Sequence, residues 1–275
     1  MTKILSYNVE AQRYNRKEDI IANGMKYYEW NDRIKMILDI IQESDADIIC
    51  LQEVEIATFE EDYKQLTTTK YNWFGHLSPN KVAGTTSSEV TSSKETPPKV
   101  TTTKKKKLRA SPIGNFILWK NAKFKSLEST ITSCSVIVKF ENLETHCTFK
   151  MSNVHLKAGI SNPESIKTRI SQLKSIQSHN PDIICGDFND NFEKNQEIIN
   201  LVKDFGYVVH NKYLTCFTLG TDHGANYWCF DNFLTISGKF NVNIPECKSI
   251  QGLKIPDDTN PSDHIPLTIF IEQKN

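Results

Sequence analysis

The 275-residue chain has no surplus of charge: 33 lysines and arginines face 33 aspartates and glutamates. That excludes a binder held to its partner by charge alone, but not an enzyme with a local basic patch. A C-x-x-C pair is missing, and the seven cysteines are an odd number. From such spacing neither a disulfide framework nor a zinc site is expected, and a reducing compartment is the natural setting. Cys50 and Cys185 lie inside apolar runs, where cysteine acts as a small hydrophobe. No apolar run approaches the roughly 20 residues of a membrane span. The opening MTKILSYNV reads as a strand, not as a secretory signal. A cytoplasmic or nuclear protein with no membrane partner is expected. No internal repeat is found.

What is present is a patterned globular chain. KILSYNV is a strand ending at Asn8. In EWNDRIKMILDIIQES, residues Ile34, Ile37, Leu38 and Ile41 follow helical spacing, with Asn31 or Asp32 placed to cap the start. ADIICLQEV, apolar on consecutive positions, predicts a strand covered on both faces and ending at Gln52 and Glu53. Residues 82–107 are rich in Ser, Thr and Lys and lose all periodicity, which predicts a disordered loop inside one domain. Strand-like sequence resumes with GNFILW, then with CSVIVKF and HCTFKMSNVHL as a pair. Asn162 before Pro163 predicts a helix start, with Ile166, Ile170, Leu173 and Ile176 on its buried face. DIICGDFN is a further strand, EIINLVKDFG a helix closed by Gly206, and YWCFDNFLTI and IPLTIFI the last strands. One α/β domain of two packed sheets with helices outside is the economical reading.

The strands end alike. Asn8, Glu53, His155, Asp187 with Asn189, Asp231, and Asp263 with His264 each stand at the margin of an apolar run. Singly, each has an ordinary reading as a turn residue, a solvated strand end or a structural histidine. Together they are the groups that bind Mg²⁺ and manage a water nucleophile. Asp190 and Asn191, which follow, read as ordinary turn residues.

The segments SYNV, LQEVE, NVHLKA, GDFN, FDNFL and PSDHIPL stand in the order of the endonuclease/exonuclease/phosphatase superfamily. The extended first segment, with FGHLSPNK, HLKAG…R…QL and PSDHIPL, resembles its CCR4, nocturnin and Angel branch. The resemblance spans nearly the whole chain outside 82–107. It implies a four-layer α/β sandwich and a Mg²⁺-dependent phosphodiesterase, with Mn²⁺ as a substitute. In this branch the expected activity is a 3′-to-5′ exonuclease on poly(A) RNA that releases 5′-nucleotides. The alternative is a phosphatase or 2′-phosphodiesterase acting on NADP(H) or 2′–5′ oligoadenylate, and a non-catalytic RNA-binding relative is a third class.

Carried over by motif, the resemblance places Asn8, Glu53 and Asp263 at the metal, with Glu53 the principal ligand. It places His155 and His264 at the phosphate, Asp187 and Asn189 at the attacking water, and Asp231 behind His264. Lys81, Lys157 and Asn115 are the expected substrate contacts. Gly159 stands where enzymes that remove the 2′-phosphate of NADP(H) tend to carry a basic residue. Leucine-rich repeats are absent, so docking to a CCR4-type complex is not expected, and a monomer is. Lys104 to Lys107 with Arg109 read either as the solvated end of the insertion or as an arm for RNA phosphates. Tyr227 is a candidate for stacking on bases, whereas core packing is expected of Trp228 and Phe188.

Overall fold

The computed structural model describes residues 1–15, 17–22, 26–76, 113–160, 162–192, 194–220, 224–245 and 250–274. The insertion read at 82–107, Lys81 and Arg109 lie outside them. The chain opens with β1 (Thr2–Asn8), α1 (Lys17–Ala22), α2 (Trp30–Ser44) and β2 (Ile48–Glu55). Next come α3 (Phe59–Asp62), α4 (Lys64–Thr67), β3 (Tyr71–Gly75), β4 (Ile113–Lys120), β5 (Phe124–Ile131), β6 (Ser135–Asn142) and β7 (Thr148–His155). Then follow α5 (Pro163–Gln177), β8 (Ile183–Asp187), α6 (Gln196–Asp204) and β9 (Tyr207–Val209). The chain closes with β10 (Cys216–Gly220), β11 (Gly224–Trp228), β12 (Asp231–Ile236), β13 (Phe240–Asn243) and β14 (Leu267–Gln273).

These strands build two six-stranded sheets, ordered β13-β14-β1-β2-β4-β3 and β5-β6-β7-β8-β12-β9, while β10 and β11 form a ribbon of their own. Successive apolar residues on the central strands serve two different cores. Ile4, Ile48, Cys50, Ile117, Met151, Ile183 and Cys185 meet between the sheets. Leu5, Ile49, Leu51 and Leu118 face away, onto Ile34, Ile37, Leu38 and Ile41 of α2. On the other sheet Val154, Ile184 and Leu234 face Leu173 and Ile176 of α5 and Ile198 and Val202 of α6. Side chains alternate along a strand, so a strand covered on both faces must be apolar at consecutive positions. The result is the expected four-layer α/β sandwich, helix on sheet on sheet on helix.

Three local expectations change. Helix α2 starts at Trp30 with extended Glu29 as its cap, not at Asn31 or Asp32, and no side chain caps it. Trp30 is held in the first turn because its ring lies under the Arg33 guanidinium and its indole N–H donates to Asp62. In α5 the Asn162 side chain accepts from the Glu164 and Ser165 N–H groups as expected. Its buried face is nevertheless turned to Ser165, Arg169, Leu173 and Ile176, leaving Ile166 half-buried, because Arg169 has a buried partner. The YWCFDNFLTI run divides between β11 in the ribbon and β12 in the sheet.

Candidate active site

Strand direction gathers the polar strand ends. β1 and β2 are parallel, as are β7 and β8, so each pair delivers its last residues to one edge. β12 runs antiparallel to β8, so its first residue lies at the same edge. His155, Asp187 and Asp231 are consecutive rungs of one ladder, His155 opposite Asp187 and Asp187 opposite Asp231. From the facing sheet come Asn8 and Glu53. Pairing of β2 with β4 shifts register between Leu51 and Val54, and Glu53 there has φ 59°. A bulge of this kind re-aims a side chain. Gly186, at φ 131°, lets β7 and β8 close up: a Cβ there would stand 2.1 Å from the Val154 carbonyl oxygen.

The side chains interlock. Asn8 Nδ2 donates to Glu53 Oε1 at 3.1 Å and to Asp187 Oδ2 at 3.0 Å, while its Oδ1 accepts from the Glu10 N–H. The Ala11 N–H donates to Glu53 Oε2. His155 Nε2 lies 3.6 Å from Glu53 Oε1 and 3.7 Å from Asp187 Oδ2. Asn189, at φ 50°, donates its backbone N–H to Asp187 Oδ1 at 2.7 Å and its amide to the Leu156 carbonyl. His264 Nδ1 donates to Asp231 Oδ2 at 2.7 Å, and its Nε2 lies 3.8 Å from Asp187 Oδ2 and 3.9 Å from Asp263 Oδ1. Asp231 Oδ1 is buried with no partner among the described residues.

This crowding sets the charge states. Burial pushes the Asp187 carboxyl above the usual carboxylate range, although His264 and His155 pull it back. Enclosure, with Glu10, Glu53 and Asp187 nearby, holds Asp263 well above that range against the pull of His264. For His264, burial favours the neutral ring, but Asp231, Cys216 and Asp263 together outweigh it and hold its pKa well above the ordinary imidazole value. Buried ionisable groups shifted by one another in this way are typical of functional sites. Glu53, His155 and Asp187 each offer a ligand atom, all within 4.8 Å of one another. Hard carboxylate oxygens beside an excess of negative charge suit a divalent cation of the Mg²⁺ or Mn²⁺ type.

The other residues named from the sequence lie around this group. Asn115 is buried and gives its amide to the Cys134 and Asn153 carbonyls. With His76 and His155 it lines a cavity of about 180 Å³. Lys157 is exposed, and its backbone, not its side chain, is anchored: the N–H donates to Gln172 and the carbonyl accepts from Arg169. Phe188 is buried edge-on to Phe192, and Trp228 stacks on Phe230 and donates to Thr218. The Tyr227 hydroxyl donates to the Leu253 carbonyl.

Two buried arginines frame the site, and spacing alone did not single them out. Arg33, fully buried, donates to the carbonyls of Val9, Glu10 and Pro261 and so ties the turn after Asn8 to the turn before Asp263. Arg169, also fully buried, donates through Nε to Asp190 Oδ2 at 2.7 Å and through Nη1 to the carbonyls of Lys157 and Gly159. Asp190 is therefore not an ordinary turn residue. The signal for Arg33 lies in the sequence, since it falls on the apolar stripe of α2 one residue before Ile34. Beneath the site Gln52 donates to Asn153 Oδ1, and Asn153 donates to the Leu51 and Phe116 carbonyls, a polar link between the sheets.

An α/β sandwich whose strand ends bring carboxylates, amides and histidines together at one edge has the groups to hold a cation and to handle a water nucleophile. The profile of the Endonuclease/Exonuclease/phosphatase family matches residues 5–236, and the chain belongs to that family. It is similar to the CCR4-Not complex 3′-5′-exoribonuclease subunit Ccr4 of Saccharomyces cerevisiae, at 25% identity over 98% of this chain and 38% of that one. The Kluyveromyces lactis protein of the same name is 23% identical over 98% of this chain and 41% of that one. The chain thus spans about two fifths of the length of these relatives. Among solved structures, the human nocturnin catalytic domain superposes with a TM-score of 0.65 at 18% identity, covering 99% of this chain and 93% of that one. ANGEL2, described as a 2′,3′-cyclic phosphatase, superposes at 0.67 with 16% identity, covering 98% and 95%. Among the described residues, no helix is long and apolar enough to cross a membrane.

Proposed function

We propose that the protein is a Mg²⁺-dependent phosphodiesterase that shortens RNA from its 3′ end, with preference for poly(A), and releases 5′-AMP. One observation carries the reading: Glu53, His155, Asp187, Asn189 and His264 converge on one cleft in a chain similar to Ccr4 exoribonucleases over 98% of its length. Water attacks the terminal phosphodiester, the 3′-oxygen of the penultimate nucleotide leaves, and the 5′-phosphate stays on the released AMP. Asp187 takes the proton of the attacking water, and Asn189 fixes the direction from which it comes. His155 and His264 donate hydrogen bonds to the phosphate oxygens as charge builds on them, and Asp231 keeps His264 charged for that task. Glu53, with Asp187 beside it, would hold the cation, which when bound neutralises charge on the phosphoryl and leaving oxygens. Asn8 and Asp263 act by holding these carboxylates and His264 in place.

A substrate panel tests this. Poly(A), mixed RNA, DNA, NADP(H) and 2′–5′ oligoadenylate are incubated in parallel with Mg²⁺ and with EDTA, and the products are separated. The expected result is 5′-AMP from poly(A), faster than from mixed RNA or DNA, and nothing in EDTA. Phosphate release from NADP(H) without RNA shortening, or RNA binding without turnover, would overturn it.

A further inference from the structure

Beside the cleft lies a second ligand cluster, different in chemistry from the first. Cys216, Asp263 and His264 each offer one ligand atom, and the three atoms lie within 4.8 Å of one another. Their approach is built by the backbone. Cys216 and His264 face each other in an antiparallel bridge, flanked by hydrogen bonds from the Phe217 N–H to the Asp263 carbonyl and from the Ile265 N–H to the Thr215 carbonyl. Cys216 and His264 are both buried. No short sequence spacing announces this cluster, because two distant segments supply it.

We propose that these three residues form an inhibitory site for a thiophilic divalent cation of the Zn²⁺ type, set apart by its thiolate and imidazole donors from the carboxylate site that serves Mg²⁺. Zn²⁺ is held tetrahedrally by thiolate, imidazole and carboxylate at about 2.0–2.3 Å, so three donors this close need little movement to converge on one ion. The cluster supplies one of each, and solvent in the cleft supplies the fourth ligand. His264 already has the outer arrangement of a metal-bound histidine: its Nδ1–H is fixed on Asp231 Oδ2 at 2.7 Å, leaving Nε2 to bind. On binding, the Cys216 thiol and the His264 imidazolium each release one proton to solvent, and so does the Asp263 carboxyl when it is protonated. Mg²⁺ takes oxygen donors and does not compete for the thiolate, so excess Mg²⁺ leaves the inhibition in place. The inhibition, though not the binding, rests on the role proposed above for His264: a cation on Nε2 removes the donor that faces the phosphate.

Cobalt titration of the full chain tests binding without reference to activity. Co²⁺ added in the presence of Mg²⁺ should bring up a thiolate-to-cobalt charge-transfer band that saturates at one ion and is bleached by Zn²⁺. Cys216→Ser should lack the band while keeping the thermal melt of the parent, and Cys216→Ala serves where serine impairs folding. With oligo(A) as substrate, Zn²⁺ should inhibit the parent at least tenfold more potently than the folded Cys216 variant, each measured relative to its own activity in Mg²⁺ alone. No band in the parent, a band that survives loss of Cys216, or equal Zn²⁺ inhibition of both proteins overturns the proposal. A band that behaves as expected in a protein inactive on every RNA would leave the site standing and remove the nuclease reading.

Discussion

Asp190→Ala should be among the most damaging substitutions outside the cleft. Arg169 is fully buried and Asp190 is its anionic partner, at 2.7 Å. Burial itself pushes the Asp190 carboxyl up, and Arg169 opposes that. Removing the carboxylate leaves a guanidinium out of water with only carbonyl oxygens for company. Breaking a buried pair in this way costs about 3–5 kcal/mol. At about 2–4 °C per kcal/mol for a chain of this size, the melting temperature should fall by about 6–20 °C. Asp190→Asn keeps an acceptor and loses the charge, so a smaller loss of about 1–3 kcal/mol is expected. Arg169→Met combined with Asp190→Leu removes both charges and should recover most of the loss, since an apolar replacement of a buried pair is often neutral. Urea titration of all four proteins gives each loss and the recovery in the double variant. A loss below about 1 kcal/mol for Asp190→Ala would refute the reasoning, because it would mean that water reaches the guanidinium. The same loop carries the Lys157 and Gly159 carbonyls just after His155, so activity measured well below the melt should fall as well.

Gly186→Ala places a Cβ against the Val154 backbone, 2.1 Å from its carbonyl oxygen, at a φ of 131°. Strain and overpacking together predict a loss of about 2–6 kcal/mol, read as a lower denaturant midpoint. Asp47 is buried, which pushes its carboxyl up, but Lys123, the Lys3 N–H and Lys120 outweigh this and hold it below the usual range. Its folded value lies below its unfolded one, so its contribution is complete above the ordinary carboxylate pKa and is lost as pH falls through the folded value. Asp47→Asn should flatten that acid limb in a plot of urea midpoint against pH. Asp231→Asn removes the carboxylate that raises the His264 pKa, so the alkaline limb of the rate–pH profile should move to lower pH.

The sandwich was legible because its central strands are apolar on consecutive positions, and Ile48, Ile49, Cys50 and Leu51 can be so only between two layers. The residues of the candidate site stood out as polar ends on those strands. What periodicity could not show was which of those ends meet. Asp231 joins His155 and Asp187 only because β12 returns antiparallel beside β8, and no local pattern encodes strand order. Asp190 looked like a turn because Asn and Asp favour turns, and its partner Arg169 sits on a distant helix. Asn115 is expected as a substrate contact; in the fold its amide nitrogen is held by the Cys134 and Asn153 carbonyls, and the residue lines the cavity beside His155, which no local pattern shows. The Cys216 cluster was invisible for the same reason, since the bridge to His264 exists only in the folded chain.

The central claim is that Asp187 and its neighbours cut RNA from the 3′ end. The most direct test follows 5′-labelled oligo(A) in Mg²⁺ with the parent and with Asp187→Asn, side by side. The account predicts a ladder of successively shorter labelled products and free 5′-AMP from the parent. With Asp187→Asn the rate should fall by about 10²–10³ or more while the thermal melt is retained. Intact oligo(A) with the parent, or an unchanged ladder with Asp187→Asn, would contradict it.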